Sequence, residues 1–107
     1  PAKVYDFVRY KTEPDGSIDY KKLEALAKET KPKLMLAGFS SYTRQIDYEK
    51  FVKIGKKVGA ITMMDMAHIA GLVAGKAVLN PVEYFDIVTA TTHKTLRGPR
   101  GGLLLIQ

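Results

Sequence analysis

Lys94 sits in the stretch TATTHKTLRGPRGG, residues 89–102, behind His93 and the threonines Thr89, Thr91 and Thr92 and ahead of a glycine-rich basic run. The run before it, DIVTA, reads as a strand, and solvent-facing lysines are uncommon at the end of a buried strand. An amine in a desolvated place has its pKa lowered and becomes a nucleophile able to form a Schiff base with a carbonyl. The threonines, His93 and the following glycines add hydroxyl, imidazole and backbone donors suited to an anion such as phosphate. Asp65 directly follows ITMM, a second strand-like run, and His68 lies three residues further on. One helical turn between them would aim both side chains into one cleft. The plainer alternative for Asp65 is a cap on a helix starting at Ala67, and for Lys94 an exposed loop lysine.

A carboxylate at one strand end and an amine at another meet the needs of pyridoxal phosphate, which takes a lysine on its aldehyde and a carboxylate on its ring nitrogen. A rival reading groups Asp65, His68 and His93 as a metal site of two histidines and a carboxylate, and it leaves Lys94 without a role. A catalytically silent binding module on the same scaffold is a third. The Lys-Thr pair does not make a phosphate loop of the Walker type, because TATTH rather than a glycine-rich turn precedes it.

These residues need elements to hold them. KVYDFVRY reads as a strand, and EPDGS after it supplies turn chemistry. From Asp19 onward Leu23, Leu26 and Ala27 fall at helical spacing, with Ser17 or Asp19 as cap and Pro32 beyond the end. KPKLMLAG is the next strand. IDYEKFVKIGKKVG predicts an amphipathic helix with Tyr48, Phe51, Val52 and Val58 inward and Gly59 as its C-cap. AITMMD and DIVTATT are two more strands, with a short Ala/Gly-rich piece and a helical turn at NPVEYF between them, and GGLLLIQ also reads as a strand. Strands alternating with helices predict an α/β fold with a mainly parallel sheet. Ligands in such sheets bind beyond the carboxyl ends of the strands, where Gly38, Phe39, Ser40, Ser41, Asp65, His68 and residues 91–94 fall.

With 107 residues the chain fits one domain, able to bury about two-thirds of its unfolded surface. It has no cysteine, which excludes a disulfide framework and fits a reducing compartment, with the cytoplasm as the expected location. No apolar run approaches the roughly 20 residues that span a bilayer, so no membrane association is expected. The net charge of +6 comes from lysines spread along the chain rather than interleaved with aromatics on one face, so nucleic acid is not expected as a partner. The chain starts without methionine and stops within a strand-like run, the pattern expected of an excerpt.

Taken together, GFSSYTRQIDYEKF, VGAITMMDMAHIAGLVAG and DIVTATTHKTLRGPRGGLLL resemble serine hydroxymethyltransferase, also called glycine hydroxymethyltransferase, over nearly the whole chain. The resemblance implies a three-layer sheet with helices on both faces, the aspartate-aminotransferase-like fold type I of pyridoxal-phosphate enzymes. Residues 1–107 would be the middle of one large domain. It implies Lys94 as the Schiff-base lysine, Asp65 on the pyridine nitrogen and His68 beside the phenolic oxygen. Ser40 and His93 would serve the phosphate end, Thr91 would help exchange one imine for another, and Arg100 would support the site. The implied reaction interconverts serine and tetrahydrofolate with glycine and 5,10-methylenetetrahydrofolate in one-carbon metabolism. The implied assembly is a homodimer or homotetramer. The family's upstream phosphate loop, its ring-stacking histidine and its arginine for the substrate carboxylate have no counterpart here, so the segment alone is expected to be inactive.

Overall fold

In the computed structural model, which describes residues 4–107, the first helix α1 (Tyr20–Thr30) begins where Asp19 takes its Oδ1 to the backbone N–H groups of Lys21 and Lys22, at 2.9 and 3.1 Å. That bond satisfies donors a helix start leaves open, and Pro32 lies just past the C-cap at Lys31. Leu23 and Ala27, four residues apart, are its buried side. Strand β1 (Leu34–Ala37) follows, with Met35 and Ala37 buried and Leu34 and Leu36 exposed. Helix α2 (Tyr48–Val58) is capped by Asp47 and ends at Gly59, whose φ of 71° is the left-handed conformation that favours glycine. Tyr48, Phe51, Val52, Ile54 and Gly55 face inward, whereas Val58 is only half-buried.

Strand β2 (Ile61–Asp65) pairs in parallel with β1, and β3 (Ile87–Thr91) pairs in parallel with β2. Between them lie a five-residue helix, α3 (Ala70–Ala74), and a 3₁₀ turn at Pro81–Glu83. Strand β4 (Gly102–Ile106) closes the sheet antiparallel to β3, giving the order β1-β2-β3-β4. The α/β class with a mainly parallel sheet is thus as the sequence predicts. Below the sheet, Asp86 accepts hydrogen bonds from the Thr62 N–H and hydroxyl, both at 2.7 Å, and these hold its carboxyl below the usual range.

One face of the sheet is covered. Helix α2 lies so close to β2 that a Cβ on Gly55 would stand 2.4 Å from the Thr62 methyl carbon. The β2–β3 connection lies on that same side, since Phe85 packs on Tyr48 and Phe51 with ring centroids 5.4 and 5.7 Å apart. Strands laid down in consecutive order with right-handed crossovers put every connection on one face. Of the three layers the fold class implies, the described residues therefore build two. The opposite face carries Leu34, Leu36, Ile61, Leu104 and Ile106, which are 44–70 % exposed, and by alternation also Asp65, Thr89 and Thr91.

KVYDFVRY does not form the expected strand; Lys3 of that run lies outside the described residues, and residues 5–10 have no regular structure. Aromatic and β-branched residues favour a pleated surface only when a neighbour completes the ladder, and among the described residues no strand pairs with them. Val4, Tyr5, Phe7 and Val8 are exposed. Tyr10 anchors the segment instead: its hydroxyl donates to the Leu36 carbonyl at 3.0 Å, and burial pushes the phenol up to about 12.

Candidate active site

Parallel pairing brings the carboxyl ends of β1, β2 and β3 to one edge of the sheet, and the register fixes Asp65 opposite Thr89. Gly38, just past β1, holds φ at 122°, and a Cβ there would lie 2.2 Å from the Asp65 carbonyl oxygen. Only glycine lets the first connection pass so close to the backbone beneath Asp65. The Asp65 side chain is exposed on the bare face and accepts from the Ala67 N–H at 2.9 Å through Oδ1. The capping alternative is therefore correct in part, but it caps a turn. Helix α3 starts at Ala70 rather than Ala67, and its own N-cap Ile69 provides no side-chain bond.

That missing cap comes from the lysine loop. The Gly71 N–H donates to Thr95 Oγ1 at 2.9 Å, and a Cβ on Gly71 would stand 2.2 Å from the Thr95 carbonyl oxygen. The loop closes on itself as the Thr92 N–H donates to the Gly101 carbonyl at 3.0 Å and the Gly98 N–H to the Thr92 carbonyl at 2.7 Å. The Arg97 N–H donates to the Lys94 carbonyl at 3.0 Å, with Arg97 itself at a φ of 60°. Thr95 and Gly71 are positions sequence reasoning passed over. The signal for them was a hydroxyl next to the lysine and a glycine inside a short helix, both of which have many bland explanations.

The outcome is that Lys94 Nζ stands 3.1 Å from His68 Nε2, joining residues from two different strand ends. Lys94 is exposed, so these residues do not supply the burial that the strand-end reading expected. Thr91 Oγ1 and His93 Nδ1 are buried with no hydrogen-bond partner, and so is Thr89 Oγ1. All three lie on alternate residues, so they line one side of β3 and its continuation. Ser40 is exposed and lines an open cleft of about 510 Å³ with Lys11, Thr12, Phe39, Ser41 and Tyr42. Asp65, His68 and Lys94 do not line that cleft. Arg100 is exposed in the closing loop, and none of the described hydrogen bonds or ion pairs engages its guanidinium.

The metal alternative is not assembled. Among the described residues no three histidine, aspartate or glutamate side chains stand together as a metal group, and Asp65, His68 and His93 are no exception. Asp65 turns back to the Ala67 N–H, and His68 presents Nε2 to Lys94.

Parallel strands that deliver an accessible amine, a carboxylate and an imidazole to one sheet edge define an α/β scaffold suited to capturing a carbonyl compound. Residues 1–107 match the family model of serine hydroxymethyltransferase, and the chain belongs to that family, whose members are fold type I pyridoxal-phosphate transferases. It is 53 % identical over 106 residues to the serine hydroxymethyltransferase of Thiobacillus denitrificans and 54 % identical to that of Dechloromonas aromatica, in each case over 99 % of this chain and 26 % of the relative. Serine hydroxymethyltransferase 1 of Pseudomonas savastanoi pv. phaseolicola is 54 % identical, with 99 % of this chain and 25 % of the relative covered. The chain thus spans about a quarter of the length of the curated relatives it matches.

Proposed function

We propose that the protein of which this chain is part interconverts serine and tetrahydrofolate with glycine and 5,10-methylenetetrahydrofolate, using pyridoxal phosphate held on Lys94. The observation that carries the reading is the placement of the Lys94 amine and the Asp65 carboxylate at the ends of adjacent parallel strands, beside the orphaned Thr91 hydroxyl and His93 nitrogen. Those residues fit the cofactor: an amine for the aldehyde, a carboxylate for the ring nitrogen and polar atoms without protein partners for its remaining oxygens. When bound, the cofactor supplies an electron sink that weakens bonds at the amino-acid α-carbon.

Each residue then has a task. Lys94 would hold the cofactor through its aldehyde carbon and give it up to the amine of the substrate. Asp65, braced at Oδ1 by the Ala67 N–H, would keep a proton on the ring nitrogen. His68 would face the phenolic oxygen, Thr91 would assist the exchange at Lys94, and His93 and Ser40 would serve the phosphate. Arg100 would support the site. We place residues 1–107 within a single large domain, in a cytoplasmic homodimer or homotetramer acting in one-carbon metabolism, with the segment alone inactive.

Borohydride reduction of the intact protein after addition of pyridoxal phosphate, followed by peptide mapping, tests the reading. A reduced adduct on Lys94 is expected. No adduct, with activity lost to a chelator, would favour metal chemistry, and neither effect would leave a silent binding module.

A further inference from the structure

We infer that His68 is the base and acid through which Lys94 captures its carbonyl partner. The inference rests on the proposed function and extends it to how the lysine becomes charged with its cofactor. An ammonium has no lone pair, so Lys94 must lose a proton before its nitrogen can attack an aldehyde carbon. His68 Nε2, 3.1 Å from Lys94 Nζ, is the base that the geometry offers. Asp65 is turned to the Ala67 N–H, and His93 Nδ1 is buried without a partner on Lys94. The contact does not depend on chance loop positions. His68 sits in the turn that leads into α3, and the Thr95–Gly71 hydrogen bond clamps the lysine loop onto that same helix.

The proton inventory closes. His68 Nε2 takes one proton from the Lys94 ammonium, and the freed nitrogen pair forms a bond to the aldehyde carbon as the carbonyl π bond opens onto oxygen. A second nitrogen proton passes to that oxygen to make a hydroxyl. His68 then returns its proton to the hydroxyl, the carbon–oxygen bond breaks and water leaves, and the nitrogen pair closes a protonated carbon–nitrogen double bond. His68 ends neutral, so one imidazole serves repeated events.

The test uses the intact protein stripped of cofactor and measures the rate at which added pyridoxal phosphate is bound covalently, followed by its absorbance change, in wild type, His68→Asn and His68→Ala. General acid–base assistance is worth about 100-fold or more, so a slowing of that order is expected in both variants. Added imidazole should restore the rate in His68→Ala. The affinity for pyridoxine phosphate, which lacks the aldehyde but keeps the phenolic oxygen that His68 would face, should fall far less than the capture rate in both variants, which separates a loss of proton transfer from a loss of folding or binding. Equal capture rates in wild type and variants would overturn the inference alone, as would slowing matched by an equal loss of pyridoxine phosphate affinity. Absence of any adduct on Lys94 in wild type would overturn the proposed function, and this inference with it.

Discussion

At the scale of single residues, Asp65 and Lys94 share one sheet edge and one exposure. Both are solvent-facing among these residues, so their proposed roles depend on charge and reach rather than on burial in this segment. A charge-assisted hydrogen bond is worth about 1.5–3 kcal/mol, so Asp65→Ala in the intact protein should weaken cofactor affinity by about 10- to 100-fold, measured by fluorescence titration. Thr95→Val removes the acceptor for the Gly71 N–H and should lower stability by about 1 kcal/mol, read from the denaturant midpoint. The types and spacing of Asp65, His68 and Lys94 were legible in the sequence, because strand ends in an α/β pattern point to one edge. The 3.1 Å contact between His68 and Lys94 was not, since it depends on a turn and a loop whose folding is set by Gly71 and Thr95.

At the scale of elements, caps decided what could be read. Asp19, Pro32 and Gly59 mark helix ends in the sequence, so α1 and α2 were predicted with nearly their observed bounds, and the structure adds Asp47 as the cap of α2. KVYDFVRY had the composition of a strand and lacked only a partner, which composition cannot reveal. Two glycines make sharp tests. Gly38→Ala combines a positive φ with a Cβ 2.2 Å from backbone and should cost about 3 kcal/mol, whereas Gly55→Ala clashes with the Thr62 methyl alone, its other contacts being ordinary, and should cost about 1–3 kcal/mol, both by chemical denaturation. Helices α1 and α2 are also tied by Glu24, which accepts from Lys28 and Lys57 at 2.7 and 2.9 Å. The Lys28 hydrogen bond first, then that of Lys57, holds the Glu24 carboxyl down to about 2. A depressed carboxyl contributes stability above its unfolded pKa and loses it as pH falls through the folded value. The tie should therefore persist at neutral pH and fade from about pH 4.3 down to about 2, which an NMR titration of the Glu24 carboxyl would follow. Glu24→Gln should remove that pH dependence.

At the scale of the whole molecule, one face of the sheet is packed and the other presents a row of leucines and isoleucines. Contiguous exposed apolar surface of this kind promotes association, so the 107-residue chain expressed alone should bind a hydrophobic dye and scatter light more than the intact protein. The two-layer outcome was hidden from the sequence, because Leu34, Leu36 and Ile61 have the same composition whether or not a helix covers them. The parallel register that sets Asp65 opposite Thr89 has a further meaning. It turns the backbone hydrogen bonds of β2 and β3 into a gauge that spaces the proposed ring anchor, Asp65, from the proposed covalent anchor, Lys94. A one-residue slip would swing Asp65 through to the helix-covered side. Insertions should therefore be tolerated at residues 75–80, in the connection, while a single residue added between Ile87 and Lys94 should abolish cofactor binding even where the fold survives.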